Sequence, residues 1–208
     1  MPRLARTEYP GATYHVFARG HDRRKMFLDD SDHFSFLSRL ERIASRHHWN
    51  VPVYCLMGNH YHLVVETPDG NLTVGMRDLN SSYCQRFNQR HERQGPLLQG
   101  RYGAILVEDD AYLLGLARYV LRNPVRAGLC GRPDDWRWSS YAGTVVPGRA
   151  PAFANPSELL ALFDCDPDAA RRSFAEFVSL HDDKTVWSPQ VSSGLSRSLG
   201  RAPNVKRV

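Results

Sequence analysis

The order of elements read from the sequence, β-α-β-β-α-β with one more helix after it, predicts an α+β protein: a ferredoxin-like, split-βαβ antiparallel sheet. Three observations carry this reading. Short runs rich in aromatic and β-branched residues recur at 13–19, 51–57 and 60–66. Two long stretches between and after them carry apolar residues at helical spacing. The second and third strands are separated only by Gly58-Asn59, a dipeptide suited to a tight hairpin, so they pair antiparallel.

The elements follow in order. Residues 13–19, TYHVFAR, form the first strand and end at Gly20 and the polar run HDRRK. A helix spans 31–47, with Ser31 as N-cap and Phe34, Leu37, Leu40, Ile43 and Ala44 at helical spacing. The hairpin strands are 51–57, VPVYCLM, and 60–66, HYHLVVE; Pro52 sits near a strand start, where a missing N–H is tolerated. A second helix covers 73–90 and a fourth strand 102–107. A third helix begins after Asp109-Asp110, which can cap it, and ends near Asn123, ahead of Pro124. The first two helices cover one face of the sheet, leaving the other to host a site.

Beyond Trp138 the pattern changes. A Pro/Ala/Gly-rich connector at 147–156 leads to short helices at 156–163 and 167–180. From Lys184 onward no apolar period remains, and the last stretch holds Arg197, Arg201, Lys206 and Arg207 with no acid. The expected organisation is a catalytic-type domain at 1–145, a helical extension at 146–183 and a basic flexible tail at 184–208.

Composition narrows the function classes. With 208 residues, 42% of them apolar, the chain can build one good core. Lys and Arg outnumber Asp and Glu by 27 to 22, and the pI is near 9.2. An arginine-rich excess suits phosphate contacts and makes nucleic acid the leading partner class, against the alternative of a merely basic surface. No run of eighteen apolar residues exists, and the N-terminus lacks the apolar core of a signal peptide. Cys55, Cys84, Cys130 and Cys165 include no C-x-x-C pair, so a zinc knuckle or disulfide framework is not expected. A cytoplasmic, nucleoid-associated protein is the simplest expectation. The absence of H-x-E and P-C-x-x-C excludes a cytidine-type zinc deaminase.

His60 and His62 are one residue apart in a strand. Period two puts both imidazoles on one face, about 6–7 Å apart, where two rings can converge on a divalent ion or stand as ordinary surface histidines. Tyr61, Leu63 and Val65 alternate with them toward the other face. In the third helix Tyr119 and Asn123 are four apart and share a face, while Leu113, Leu116, Ala117, Val120 and Leu121 form its apolar stripe.

These motifs together carry a family resemblance. MGNHYHLVV resembles the HUH motif, a bulky hydrophobic residue between two histidines. RYVLRNPVRAGL resembles the tyrosine helix of the single-tyrosine HUH transposases of bacterial insertion sequences. TYHVFARG, LNSSYCQRFNQRHERQGPLLQGRY and WRWSSY stand in the matching order, as in the REP-associated tyrosine transposases. The likeness covers about residues 10–142; Gly58 replaces a proline common before the motif.

The resemblance implies a ferredoxin-like fold, a nucleophile at Tyr119, metal ligands at His60 and His62, and an amide ligand at Asn123. It implies Mg²⁺ or Mn²⁺ as cofactor, since an amide oxygen and two imidazoles suit either ion. It implies cleavage of single-stranded DNA beside a REP-like hairpin through a 5′-phosphotyrosine, and rejoining without ATP. A hairpin-binding protein with reduced catalysis is the alternative. Arg19, Arg23, Arg24, Arg101, Arg118, Arg122 and Arg126 are candidate phosphate contacts, and Tyr9, Tyr14, Trp49 and Tyr102 either stack bases or pack in the core. A monomer and a homodimer that shares its active sites both remain open; no membrane partner is expected.

Overall fold

The computed structural model describes residues 8–180. The tail expected at 184–208 lies outside the described residues. The four strands are β1 (Ala12–Arg19), β2 (Asn50–Leu56), β3 (His60–Thr67) and β4 (Gly103–Leu106). They form one sheet in the order β2-β3-β1-β4, with every neighbouring pair antiparallel. Helix α1 (Asp30–His47) links β1 to β2, and α2 (Leu72–Arg90) links β3 to β4. This is the ferredoxin-like arrangement the element order predicts. After β4 come α3 (Asp110–Leu121), the short α4 (Asn123–Arg126), α5 (Tyr141–Val145), α6 (Ser157–Ala161) and α7 (Pro167–Ser179). Among the described residues no helix is long and apolar enough to cross a membrane.

Strand alternation sorts the sheet into two faces. Tyr14, Val16 and Ala18 of β1, Tyr54 and Leu56 of β2, and Tyr61, Leu63 and Val65 of β3 point toward α1 and α2. There they meet Phe36, Leu40 and Ala44 of α1 and Met76, Leu79, Tyr83 and Phe87 of α2. Gly75 lets α2 approach Trp49: a Cβ there would stand 2.2 Å from the indole ring. Tyr14, Trp49 and Tyr102 are buried in this layer, so their rings pack in the core; Tyr9 is exposed.

The opposite face carries a second apolar cluster. Val53, Cys55 and Val64 of the sheet meet Leu116, Ala117, Val120 and Leu121 of α3, with Tyr141, Leu159, Leu160, Ala170, Phe174 and Val178 from α5, α6 and α7. The segment expected as a helical extension therefore supplies two helices that join this cluster. Helix α3 lies over β2 and β3, while Phe17 on β1 and Ile105 on β4 stay half-buried. Helices thus occupy both faces, and the site face is open only in part.

Local chemistry sets the helix ends. The N-cap of α1 is Asp29, whose carboxylate accepts from Asp32 N at 3.1 Å; Ser31 lies inside the first turn. A carboxylate satisfies the free N–H and also faces the positive end of the helix dipole, which favours it over a hydroxyl here. Asp109 caps α3 in the same way, accepting from Tyr112 N at 2.7 Å. Helix α3 closes at Leu121, and Pro124 begins one further turn, α4, where its missing N–H costs nothing. The hairpin between β2 and β3 closes through Met57 N donating to His60 O at 2.8 Å. Gly58 has no positive φ, and a Cβ there would meet nothing within 4 Å, so the turn does not require glycine.

Candidate active site

His60, His62 and Val64 project from β3 onto the α3 face, as strand period two requires. Register then sets their neighbours: Phe17 of β1 and Cys55 of β2 lie opposite His62, and Arg19 lies opposite His60. The two imidazole centroids are 5.2 Å apart, with the rings nearly perpendicular. Tyr119, near the end of α3, stands edge-on to His62 at 5.6 Å and 80°. Asn123, one turn further, engages the His60 imidazole with its side chain. Tyr119, Asn123, His60 and His62 thus come together within one chain. The other tyrosines nearest in sequence do not join them. Tyr61 is buried on the opposite face and donates to Asn80 Oδ1 at 2.7 Å, and Tyr112 lies two turns earlier on α3.

Burial makes these histidines neutral. Desolvation and the nearby Arg19 charge push His60 down to about 4, against a partial upward pull from Asn123. Burial, then the His15 and His60 rings, then Arg19 hold His62 well below its ordinary value. Each ring also has a partner at Nδ1. His60 Nδ1–H donates to Asn59 Oδ1 at 2.7 Å, and His62 Nδ1 lies 2.9 Å from Nε2 of His15. A neutral ring that donates through Nδ1 keeps its lone pair on Nε2.

This donor set fits a small divalent cation. The Asn123 side chain lies beside His60, and its amide Nδ2 is buried with no hydrogen-bond partner. Two neutral imidazoles and one amide oxygen suit Mn²⁺, and Mg²⁺ with water completing its shell. Among the described residues no three His, Cys, Asp or Glu side chains form a cation cage, so the amide is the third donor at hand.

The arginines divide by environment. Arg126 lies over the Tyr119 ring, 5.3 Å from its centroid, and Arg19 acts electrostatically on both histidines. Arg23 and Arg24 are exposed in the turn after β1, where Asn59 Nδ2 donates to Arg23 O at 3.0 Å. Arg118 stacks on Phe177 at 5.1 Å. Arg122 donates to the carbonyls of Val178, Ser179 and Leu180 and so caps α7. Arg101 is exposed on the α2 side, in a cavity of about 700 Å³ shared with Glu8, Thr73, Arg77 and Asn80.

One site neighbour was absent from the sequence reading. His15 is fully buried, stacks on His62 at 5.2 Å and bonds it. The signal was present in TYHVFAR: period two aligns His15 with Phe17 and Arg19, but only the β1–β3 register brings that row beside His62.

Known proteins share this chain's sequence pattern and fold. The family described as "Transposase IS200 like" matches residues 8–123. A protein of Haemophilus influenzae assigned as a REP-associated tyrosine transposase is 26% identical over 131 residues, covering 58% of this chain and 74% of that one. The solved structure of a REP-associated tyrosine transposase bound to a REP hairpin superposes with a TM-score of 0.61 at 17% identity. That superposition covers 74% of this chain and 90% of the other. The family match runs from the start of β1 through both histidines and Tyr119 to Asn123, more than half of the sequence, and the chain belongs to the IS200-like transposases.

Proposed function

We propose that this transposase nicks and rejoins single-stranded DNA beside a REP-like hairpin, with Tyr119 as nucleophile and His60, His62 and Asn123 holding Mg²⁺ or Mn²⁺. One observation carries the reading: Tyr119 stands edge-on to His62 while Asn123 engages His60, all in one chain. The family membership and the hairpin-bound structural relative agree with it.

The chemistry is a transesterification. The Tyr119 oxygen forms a bond to the scissile phosphorus, and the bond from phosphorus to the 3′ oxygen breaks. The phenol loses its proton to solvent, and the departing 3′ oxygen gains one, leaving a free 3′-hydroxyl and a 5′-phosphotyrosine. A bound divalent ion supplies Lewis acidity and offsets charge on the phosphate. Arg126 lies over the Tyr119 ring, where its positive charge can meet the scissile phosphate as the phenol oxygen attacks. Asn59 holds the His60 ring, and the α3–β3 packing holds Tyr119 against His62, so the nucleophile is placed before DNA arrives. Because the new ester keeps the phosphodiester bond energy, a second 3′-hydroxyl reverses the step and joins strands.

The test is a labelled hairpin with a single-stranded flank, incubated with protein and Mn²⁺ and run on a denaturing gel. A nick in the flank with DNA covalently attached to the Tyr119 peptide is expected. Hairpin binding with no nick and no adduct overturns the catalytic reading and leaves a DNA-binding protein.

A further inference from the structure

We infer that His15 is a positioning residue for the metal site: it accepts the Nδ1–H of His62 and so fixes the tautomer whose Nε2 lone pair faces the cation. The inference rests on the proposed role of His62 as a ligand. Its basis is the buried contact of His15 Nε2 with His62 Nδ1 at 2.9 Å.

The two candidate ligands are held alike but by different acceptors. His60 Nδ1 has the Asn59 side-chain oxygen, which can only accept, so its tautomer is set without further conditions. His62 Nδ1 has a ring nitrogen, which accepts in one tautomer of His15 and donates in the other. Only when His15 carries its hydrogen on Nδ1 does its Nε2 accept, and only then does His62 keep Nε2 free for a cation. His15 is fully buried, and its Nδ1 has no hydrogen-bond partner. A buried ring with one unpartnered nitrogen would pack better as phenylalanine. Phe17, two residues along the same face, shows that this row accepts such a ring. The position thus carries an imidazole whose one hydrogen bond goes to His62. Partners that orient a ligating histidine through its second nitrogen raise both its basicity and its metal affinity.

The experiment uses the full chain with Mn²⁺ alone. Nitrogen–proton long-range NMR of the metal-free protein reads the His62 tautomer, and electron paramagnetic resonance titration reads the Mn²⁺ Kd. The wild type is expected to hold His62 in the Nδ1–H form. His15→Phe should mix the tautomers and weaken Mn²⁺ binding about tenfold to a hundredfold, the range of lost outer-sphere partners. His15→Gln, whose side-chain oxygen accepts, should recover most of the affinity. An Nε2–H tautomer of His62 in the wild type, or equal Mn²⁺ affinity in His15→Phe and wild type, overturns the inference. If His15→Phe fails to fold, the wild-type tautomer and His15→Gln decide. His62→Ala separates the two readings: unchanged Mn²⁺ binding in that variant removes the metal site itself. Lost binding in His62→Ala with full binding in His15→Phe removes only the role of His15.

Discussion

The Tyr119 and His62 rings meet in a T across the α3–β3 interface, with centroids 5.6 Å apart and planes at 80°. Beneath that contact Val120 and Leu116 of α3 pack on the sheet, so the ring is held from the apolar side of its own helix. Tyr119→Phe removes one oxygen and keeps the ring. Stability should change by no more than about 1 kcal/mol, while cleavage should fall by about a thousandfold or more. Urea melts and a denaturing gel read the two effects; wild-type cleavage in the variant would remove Tyr119 as nucleophile.

Acid should destabilise the folded chain well above the carboxylate range. Burial pushes His15 and His60 down to about 4, and His33 and His62 are also lowered. Unfolded histidines bind protons near 6.5. The unfolded chain therefore takes up protons first as pH falls, and stability drops between about pH 6.5 and 4, being fully present above that window. His15 and His60 each contribute roughly 1–2 kcal/mol of loss from pH 7 to pH 5. Equal urea midpoints at pH 7 and pH 5 would contradict it.

The sequence made the two faces of β3 legible because strand period is rigid: His60 and His62 go one way, Tyr61, Leu63 and Val65 the other. It aligned Tyr119 with Asn123 because helical period is equally firm. What escaped was set by distant contacts. The Nε2 of His15 finds His62 only through strand register, and Arg122 finds the α7 carbonyls 56 to 58 residues later. The cap of α1 was displaced from Ser31 to Asp29, where the carboxylate also pairs with Arg90 from the far end of α2 at 2.6 Å.

That end of the fold is clamped by Asp32. Its buried carboxylate accepts from Leu28 N, from Arg90 Nη1 at 2.6 Å and from His91 Nε2 at 3.0 Å, tying the start of α1 to the end of α2. Asp32→Ala removes the acceptor of Leu28 N and His91 Nε2, while Arg90 keeps its pair with Asp29. A loss of about 1–3 kcal/mol in unfolding free energy is expected, with the site geometry untouched on the other face. A loss under about 0.5 kcal/mol in urea melts would show the network to be idle.

Gly103 couples β4 to the site through Phe17. A Cβ at Gly103 would stand 2.3 Å from the Phe17 ring, whose centroid is 6.2 Å from that of His62. Gly103→Ala should cost about 1–3 kcal/mol and tilt Phe17 toward the histidines. Phe17→Leu vacates the contested space, so the double variant should be more stable than the sum of the single effects predicts. Additive losses would place the clash elsewhere.

Arg122 and Arg126 lie one helical turn apart and should fail differently when truncated. Arg122 Nη1 donates to three carbonyls at the end of α7, at 3.0, 2.9 and 3.0 Å. Its removal uncaps that helix where it packs on α3, so Arg122→Ala should lower stability by about 1–3 kcal/mol. Hairpin affinity measured well below the new melting temperature should keep its salt dependence, because no phosphate contact is lost. Arg126 is exposed, and its guanidinium lies 5.3 Å from the centre of the Tyr119 ring. A cation there can meet the scissile phosphate. Arg126→Ala should therefore leave stability within about 0.5 kcal/mol, slow cleavage, and reduce the slope of log affinity against log salt by about one phosphate contact. The decisive pair of measurements is a urea melt and a salt titration of hairpin binding on both variants. If Arg122→Ala flattens the salt slope while Arg126→Ala leaves it unchanged, the phosphate path runs along the α7 side of α3 and the roles given to these two arginines are reversed.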